Sequence, residues 1–225
     1  MAKPMFDADA LISAFETATA QQGAQLKKAV SDATLASLQG RELTLKNIRA
    51  ALKAVTDAAS AGAAKNLTGG VDAEALLDQA VAGMDQALLK AVEANRVALG
   101  QLVAQGADLR EKHLKKALDD LDKFEDTMFA AVRKAAAGVE GPMAGAWNQV
   151  LEKMQAGGTL SGAKASTTVE QLAAQMQDAM RTSRAASMRA AQAMAESYTA
   201  MVSGVLLGMS DALQSGAAKK TPAKK

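Results

Sequence analysis

The sequence predicts an all-α protein. Apolar residues recur at three-four spacing along most of the chain, the spacing of one helix face. The three prolines, Pro4, Pro142 and Pro222, fall near expected helix boundaries and not inside a periodic run. Aromatics make up only 3% and about a quarter of the chain is alanine. Alanine buries little area per residue, so the 49% hydrophobic content overstates the core. With 12 methionines, which adapt to irregular apolar surfaces, this composition favours elongated amphipathic helices in a loose or oligomeric bundle.

A first helix is expected from Asp7 to Leu38, with Leu11, Phe15, Leu26 and Val30 on one face and Gly40 as its stop. A second runs from Leu43 to Lys65 on Leu45, Ile48, Leu52 and Val55, and Gly69-Gly70 breaks the chain after it. Val71 to Ala137 reads as one long helix, with Asp72 as N-cap and Glu74 in the first turn. Its aliphatic pairs, Leu77 and Val81, Leu88 and Val92, Leu99 and Val103, repeat every 11 residues, and Leu114 continues the second register. That step, about 3.67 residues per turn, keeps the apolar stripe nearly straight. Gly83, Gly100 and Gly106 each cost about 1 kcal/mol relative to alanine unless a neighbour packs against them.

A short fourth helix is expected from Met143 to Gln155, carrying Trp147, Val150, Leu151 and Met154. Gly157 to Ser166 reads as a Gly/Ser-rich linker. Thr167 to Glu170 then matches a capping box that opens a final helix reaching Leu213. Residues beyond Gln214 are expected to be disordered. The resulting organisation is 1–68, a helical pair; 69–141, the long helix; 142–165, a short helix and linker; 166–214, a Met/Ala-rich helix; and 215–225, a lysine-rich tail.

The net charge of +2, from 26 basic and 24 acidic residues, argues against nucleic-acid binding by the body of the chain. The basic excess is local, at Lys219, Lys220, Lys224 and Lys225. This stretch resembles the Ala/Lys/Pro tails of linker-histone-like proteins, which bind phosphates without sequence preference; a solubilising tail is the plainer reading. Cysteine is absent, which excludes disulfides and thiolate metal sites and fits a cytoplasmic protein. Met1–Phe6 is too short for a signal peptide, with Asp7 and Asp9 next. The most apolar run, Met201–Met209, falls far below the roughly 20 residues of a membrane span.

No catalytic pattern stands out. His113, the only histidine, lies in the charged block 110–126 with no Gly-x-Ser-x-Gly context. That block lacks a calcium loop and a second imidazole for zinc, so it reads as a solvated, ion-paired face, with Glu111–Lys115 and Asp119–Lys123 at helical spacing. Gly69-Gly70 and Gly157-Gly158 lack the Gly-Lys-Ser/Thr of a phosphate loop and read as helix breakers. No cofactor or metal is expected.

The segment Gln171-Leu172-Ala173-Ala174-Gln175-Met176, the Met/Ala/Gln-rich helix through Met209, the cysteine-free helical body and the basic tail together resemble the phasins. Phasins coat polyhydroxyalkanoate storage granules in bacteria. The resemblance implies a non-enzymatic coat with no catalytic residues. The stretch from Leu43 to Val55 also looks like a set of uncharacterised bacterial helical proteins, a likeness that implies no function. The expected granule-binding residues are Leu77, Val81, Leu88, Val92, Leu99, Val103 and Leu114, with Met176, Met180, Tyr198, Val202, Val205 and Met209 in the late stripe. The expected partners are an apolar polymer surface, further copies of the chain, and DNA contacted non-specifically through the four tail lysines. Two alternatives stand beside this: a soluble helical-bundle interaction module and a nucleoid-associated protein.

Overall fold

Apolar periodicity becomes helix throughout the computed structural model, which describes residues 7–16, 23–38, 44–66, 72–105, 112–182, 198, 201–207 and 209. Eight helices follow in order among the described residues: α1 (Ala8–Glu16), α2 (Gly23–Leu38), α3 (Leu45–Asn66), α4 (Ala73–Ala104), α5 (Lys112–Asp122), α6 (Phe124–Ala137), α7 (Pro142–Gly157) and α8 (Leu160–Thr182). Residues 201–207 are helical as well. The fold is all-α, and no strand occurs among the described residues.

The 32 residues of α4 make a rod of about 48 Å. It forms the axis of the bundle: α2 and α8 lie along it, and α3 and α7 pack on it too. A second tier forms around α3, which carries α1 on one side and α6 on another, with α7 bridging α6 and α4. All eight helices and residues 201–207 contribute to one apolar core. Its largest fully buried side chain is Trp147 of α7, whose indole N–H donates to Ser60 Oγ of α3 at 2.9 Å. Asn66, at the end of α3, donates to the Phe15 carbonyl in the last turn of α1 at 2.7 Å, satisfying a terminal carbonyl that α1 leaves unpaired.

The expected N-cap at Asp72 is present, its carboxylate accepting the Glu74 N–H at 3.0 Å. Pro142 occupies the first turn of α7, where its missing N–H costs nothing. Gly141 precedes it at φ 64, a left-handed conformation that favours glycine.

Three expected boundaries are corrected. Residues 7–38 are not one helix: α1 ends at Glu16 and packs on α3, whereas α2 lies on α4. The long helix expected over 71–137 is three. α4 ends at Ala104, α5 starts at Lys112, and a further break falls at Lys123. α4 is enclosed by α2, α3, α7 and α8, whereas α6 packs on α3 and α7, so the chain has to turn between them. The supposed linker over 157–166 is mostly helix, because α8 begins at Leu160, and Thr167 lies inside it, its hydroxyl donating to the Ala163 carbonyl at 3.0 Å. The Gly69-Gly70 break, Glu111 and the tail from 215 lie outside the described residues.

Two glycines set how closely the helices approach. A Cβ on Gly83 of α4 would lie 2.5 Å from the Lys27 carbonyl and 2.8 Å from Val30 Cβ, both on α2. A Cβ on Gly62 of α3 would lie 2.4 Å from Phe15 Cβ of α1. Gly100, also in α4, has nothing within 4 Å of its would-be Cβ. Opposite effects are therefore expected from one chemical change. Gly83→Ala forces α2 away and costs about 1–3 kcal/mol. Gly100→Ala relieves helix-interior backbone entropy and gains about 0.5–1 kcal/mol. Thermal melts of the two variants check the contrast; equal shifts would contradict the close α2–α4 crossing.

Candidate functional site

The expected surface stripe is the inner face of the bundle. Leu77, Leu88, Val92, Leu99 and Leu114 are fully buried, and Val81 and Val103 nearly so. Leu114 belongs to α5 and the other six to α4. An 11-residue repeat keeps these side chains in line, and the helices packed along α4 cover that line. Within this chain the expected surface stripe is covered by neighbouring helices. Small residues allow the coverage, since Ala80, Gly83, Ala87, Ala91, Ala94 and Ala98 of α4 are all buried and let neighbouring backbones come close.

The late stripe is less enclosed. Val202 is buried, while Met176, Tyr198, Val205 and Met209 are half-buried. The Met180 side chain and Lys219, Lys220, Lys224 and Lys225 lie outside the described residues. The Tyr198 hydroxyl donates to Asn95 Oδ1 of α4. Burial, with the Asp120 carboxylate nearby, raises the Tyr198 pKa and keeps the phenol neutral.

Acidic residues hold helix starts from a distance. At the start of α8, the Thr159 hydroxyl accepts the Gly162 N–H at 3.0 Å. Asp85 of α4 accepts the Leu160 and Ser161 N–H groups, each at 2.9 Å. Glu125 of α6 accepts the Thr159 N–H at 2.8 Å and its hydroxyl at 3.2 Å. The donors that a helix leaves unpaired at its start are thus satisfied by two other helices. A Cβ on Gly162 would lie 2.6 Å from the Glu125 carboxyl carbon, so glycine makes room for that carboxylate. Asp120, at the end of α5, likewise accepts the Leu45 N–H that opens α3, at 3.3 Å, and pairs with Lys116 at 2.8 Å.

Ion pairs tie the same helices. Lys153 of α7 reaches Glu74 and Asp78 of α4 at 2.5 and 2.6 Å. Asp78 and then Glu74 raise the Lys153 pKa. Glu93 of α4 pairs with Arg96 at 2.5 Å and with Lys164 of α8 at 3.3 Å. The Arg96 hydrogen bond is the main cause holding the Glu93 carboxyl below its ordinary range; burial opposes it and Lys164 adds to it. A depressed folded pKa contributes stability above the unfolded value, and that stability is lost as pH falls through the folded value. Melting temperatures from pH 7 to 3 should show Glu93→Gln slightly less stable than the native chain at neutral pH, by under about 1 kcal/mol for so exposed a pair. The gap should close on acidification; a gap that widens would reverse the assignment.

Beneath these pairs, several polar atoms have no hydrogen-bond partner among the described residues: Ser31 and Ser37 Oγ on α2, Asn95 Nδ2 on α4, and Ser161 Oγ and Thr168 Oγ1 on α8. All are buried. Among the described residues, no group of three or more His, Cys, Asp or Glu side chains could hold a metal ion, and no helix is long and apolar enough to cross a membrane.

Fold and site together define an all-α bundle built around one covered helix, with small-residue contacts and remote carboxylate caps. The chain belongs to a family of unknown function (DUF6781), whose match spans residues 1–215. No curated protein matches the chain, and no solved structure does.

Proposed function

We propose that this protein is a non-enzymatic coat for polyhydroxyalkanoate-type granules, and that it adsorbs by opening its bundle. The carrying observation is the set of buried polar atoms on α2, α4 and α8, the helices along the stripe, that have no hydrogen-bond partner among the described residues. Each such group costs roughly 1–3 kcal/mol while dry and recovers that on meeting water. Alanine contacts add little to hold the helices together compared with leucine. On opening, Leu77, Val81, Leu88, Val92, Leu99 and Val103 exchange α2 and α8 for the polymer. The late residues Met176, Val202, Val205 and Met209 extend the contact. Charged faces stay in water and keep granules apart. In this reading the protein works at granule surfaces in the cytoplasm, in several copies, with the four tail lysines contacting DNA without sequence preference. Deleting residues 217–225 should then abolish DNA retention but leave granule binding intact.

A second reading is a closed helical-bundle interaction module, favoured by the burial of the α4 stripe. Co-sedimentation with polyhydroxybutyrate particles separates the two. The coat reading expects saturable binding that survives albumin blocking and high salt. Absence of binding, with a discrete oligomer in solution, would replace it with the interaction module.

A further inference from the structure

Along the outer side of α3, where α6 lies beside it, the bundle leaves a groove of about 910 Å³. The Asp120–Leu45 contact brings the start of α6 near the start of α3, and α7, which follows α6, bonds Ser60 through Trp147, so α6 runs alongside α3 in the same direction. The groove exists because both helices present alanine there. Ala61 of α3 and Ala130 of α6 are exposed at its walls, and Met143 of α7 is buried at one end. Such a volume lies within the range of small-ligand sites, which are mostly apolar with a few placed polar groups.

The charges on this groove select its occupant. Lys53 is engaged with Asp57 at 2.5 Å. Arg49 of α3 and Lys134 of α6, both exposed on the lining, form no ion pair among the described residues. One acid without such a pair, Glu140, also lines the groove. Alanine walls with two uncommitted cations suit a single aliphatic chain that ends in a carboxylate. The basic tail of the chain itself is a poor match, because its lysines would meet Arg49 and Lys134.

We propose that the α3–α6 groove binds one aliphatic monocarboxylate, its chain against the alanine walls and its carboxylate drawn to the cationic lining that Arg49 and Lys134 supply. Charge-assisted hydrogen bonds from a guanidinium or ammonium group are the stronger kind, so the acid should be preferred over a neutral analogue of equal length. This inference is independent of granule adsorption, because the ligand is monomeric and the bundle stays closed.

The test is calorimetric titration of the full chain with decanoate and with decanol, both below their aggregation or solubility limits. Decanoate is expected to bind at one per chain, about tenfold or more tighter than decanol, a difference worth about 1.4 kcal/mol. Arg49→Gln with Lys134→Gln should erase the preference, and Ala61→Leu with Ala130→Leu should block both ligands. The positions are exposed, so native melting of each variant is expected and is checked alongside. Equal binding of acid and alcohol would overturn the proposal, as would decanoate binding unchanged in the leucine variant. No binding by the native chain would also overturn it, leaving a partner helix or a further part of this chain as the occupant.

Discussion

Leu88→Asp is expected to abolish the closed bundle. Leu88 sits in the middle of α4 with no exposed surface, and a carboxylate there would have to be neutralised or hydrated. Either response separates α4 from the helices around it. Leu88→Ala grades the same effect: it removes the side chain and leaves space, at a cost of about 2–5 kcal/mol. Circular dichroism should show the aspartate variant without a cooperative melt and the alanine variant with a lowered one. If the aspartate variant melts like the native chain, α4 is not the axis of the fold. The substitution also bears on function, because a charge in the stripe weakens adsorption to an apolar surface even when the helix is free to reach it. If the protein coats granules as proposed, binding should therefore fall in Leu88→Asp although the bundle is open.

Asp85→Ala should produce the second-largest loss, with the opposite functional consequence. Asp85 leaves the apolar stripe untouched, yet it caps α8 through two backbone N–H groups at 2.9 Å. Asp85 itself is 9% exposed, and the Ser161 donor is buried. Removing the carboxylate strands the buried Ser161 donor, at about 1–3 kcal/mol, and loses the bond from Leu160, a residue 67% exposed, at about 0.5–1.5 kcal/mol more, so about 1.5–4.5 kcal/mol in total is expected. Denaturant titration gives this figure. If adsorption requires opening, a cheaper opening strengthens it, roughly tenfold for each 1.4 kcal/mol recovered. Asp85→Ala should thus melt earlier and bind particles more tightly, whereas Leu88→Asp should melt earlier and bind less. A parallel fall in stability and binding for both variants would contradict adsorption by opening.

These two residues also show how far sequence reasoning reached. Helix class and the α3 and α7 boundaries were legible, because Ile48, Leu52 and Val55, and Trp147, Val150 and Met154, carry a local period and Pro142 marks a start. Asp72 was legible for the same reason: its partner, Glu74, is two residues away. The start of α8 was not. Thr167 and Glu170 have the spacing of a capping box, but the start lies at Thr159, and the carboxylates that satisfy it come from Asp85 and Glu125. Those partners are 75 and 34 residues away, so no local pattern reports them. Gly83 illustrates the same limit. Its cost to a helix is visible in the sequence, whereas its contact with Lys27 and Val30 exists only once α2 lies on α4. The stripe residues were correctly singled out as apolar and aligned, but an apolar stripe looks the same whether a polymer or a neighbouring helix covers it. Alanine spacing that lets helices touch closely decided for the helix in the closed state. The α3–α6 groove has no local sequence signature, because it depends on two alanine faces from distant parts of the chain.

The central claim is that the α4 stripe reaches an apolar surface only when α8 moves away from it. The native chain has no cysteine, so Glu93→Cys with Lys164→Cys can be joined selectively. A short bis-maleimide would replace the Glu93–Lys164 ion pair, which already brings α4 and α8 side chains to 3.3 Å. Co-sedimentation of the joined and unjoined forms with polyhydroxybutyrate particles is the most direct measurement. Saturable binding by the unjoined form, and loss of most of it on joining, are expected. Equal binding by both forms would contradict adsorption by opening.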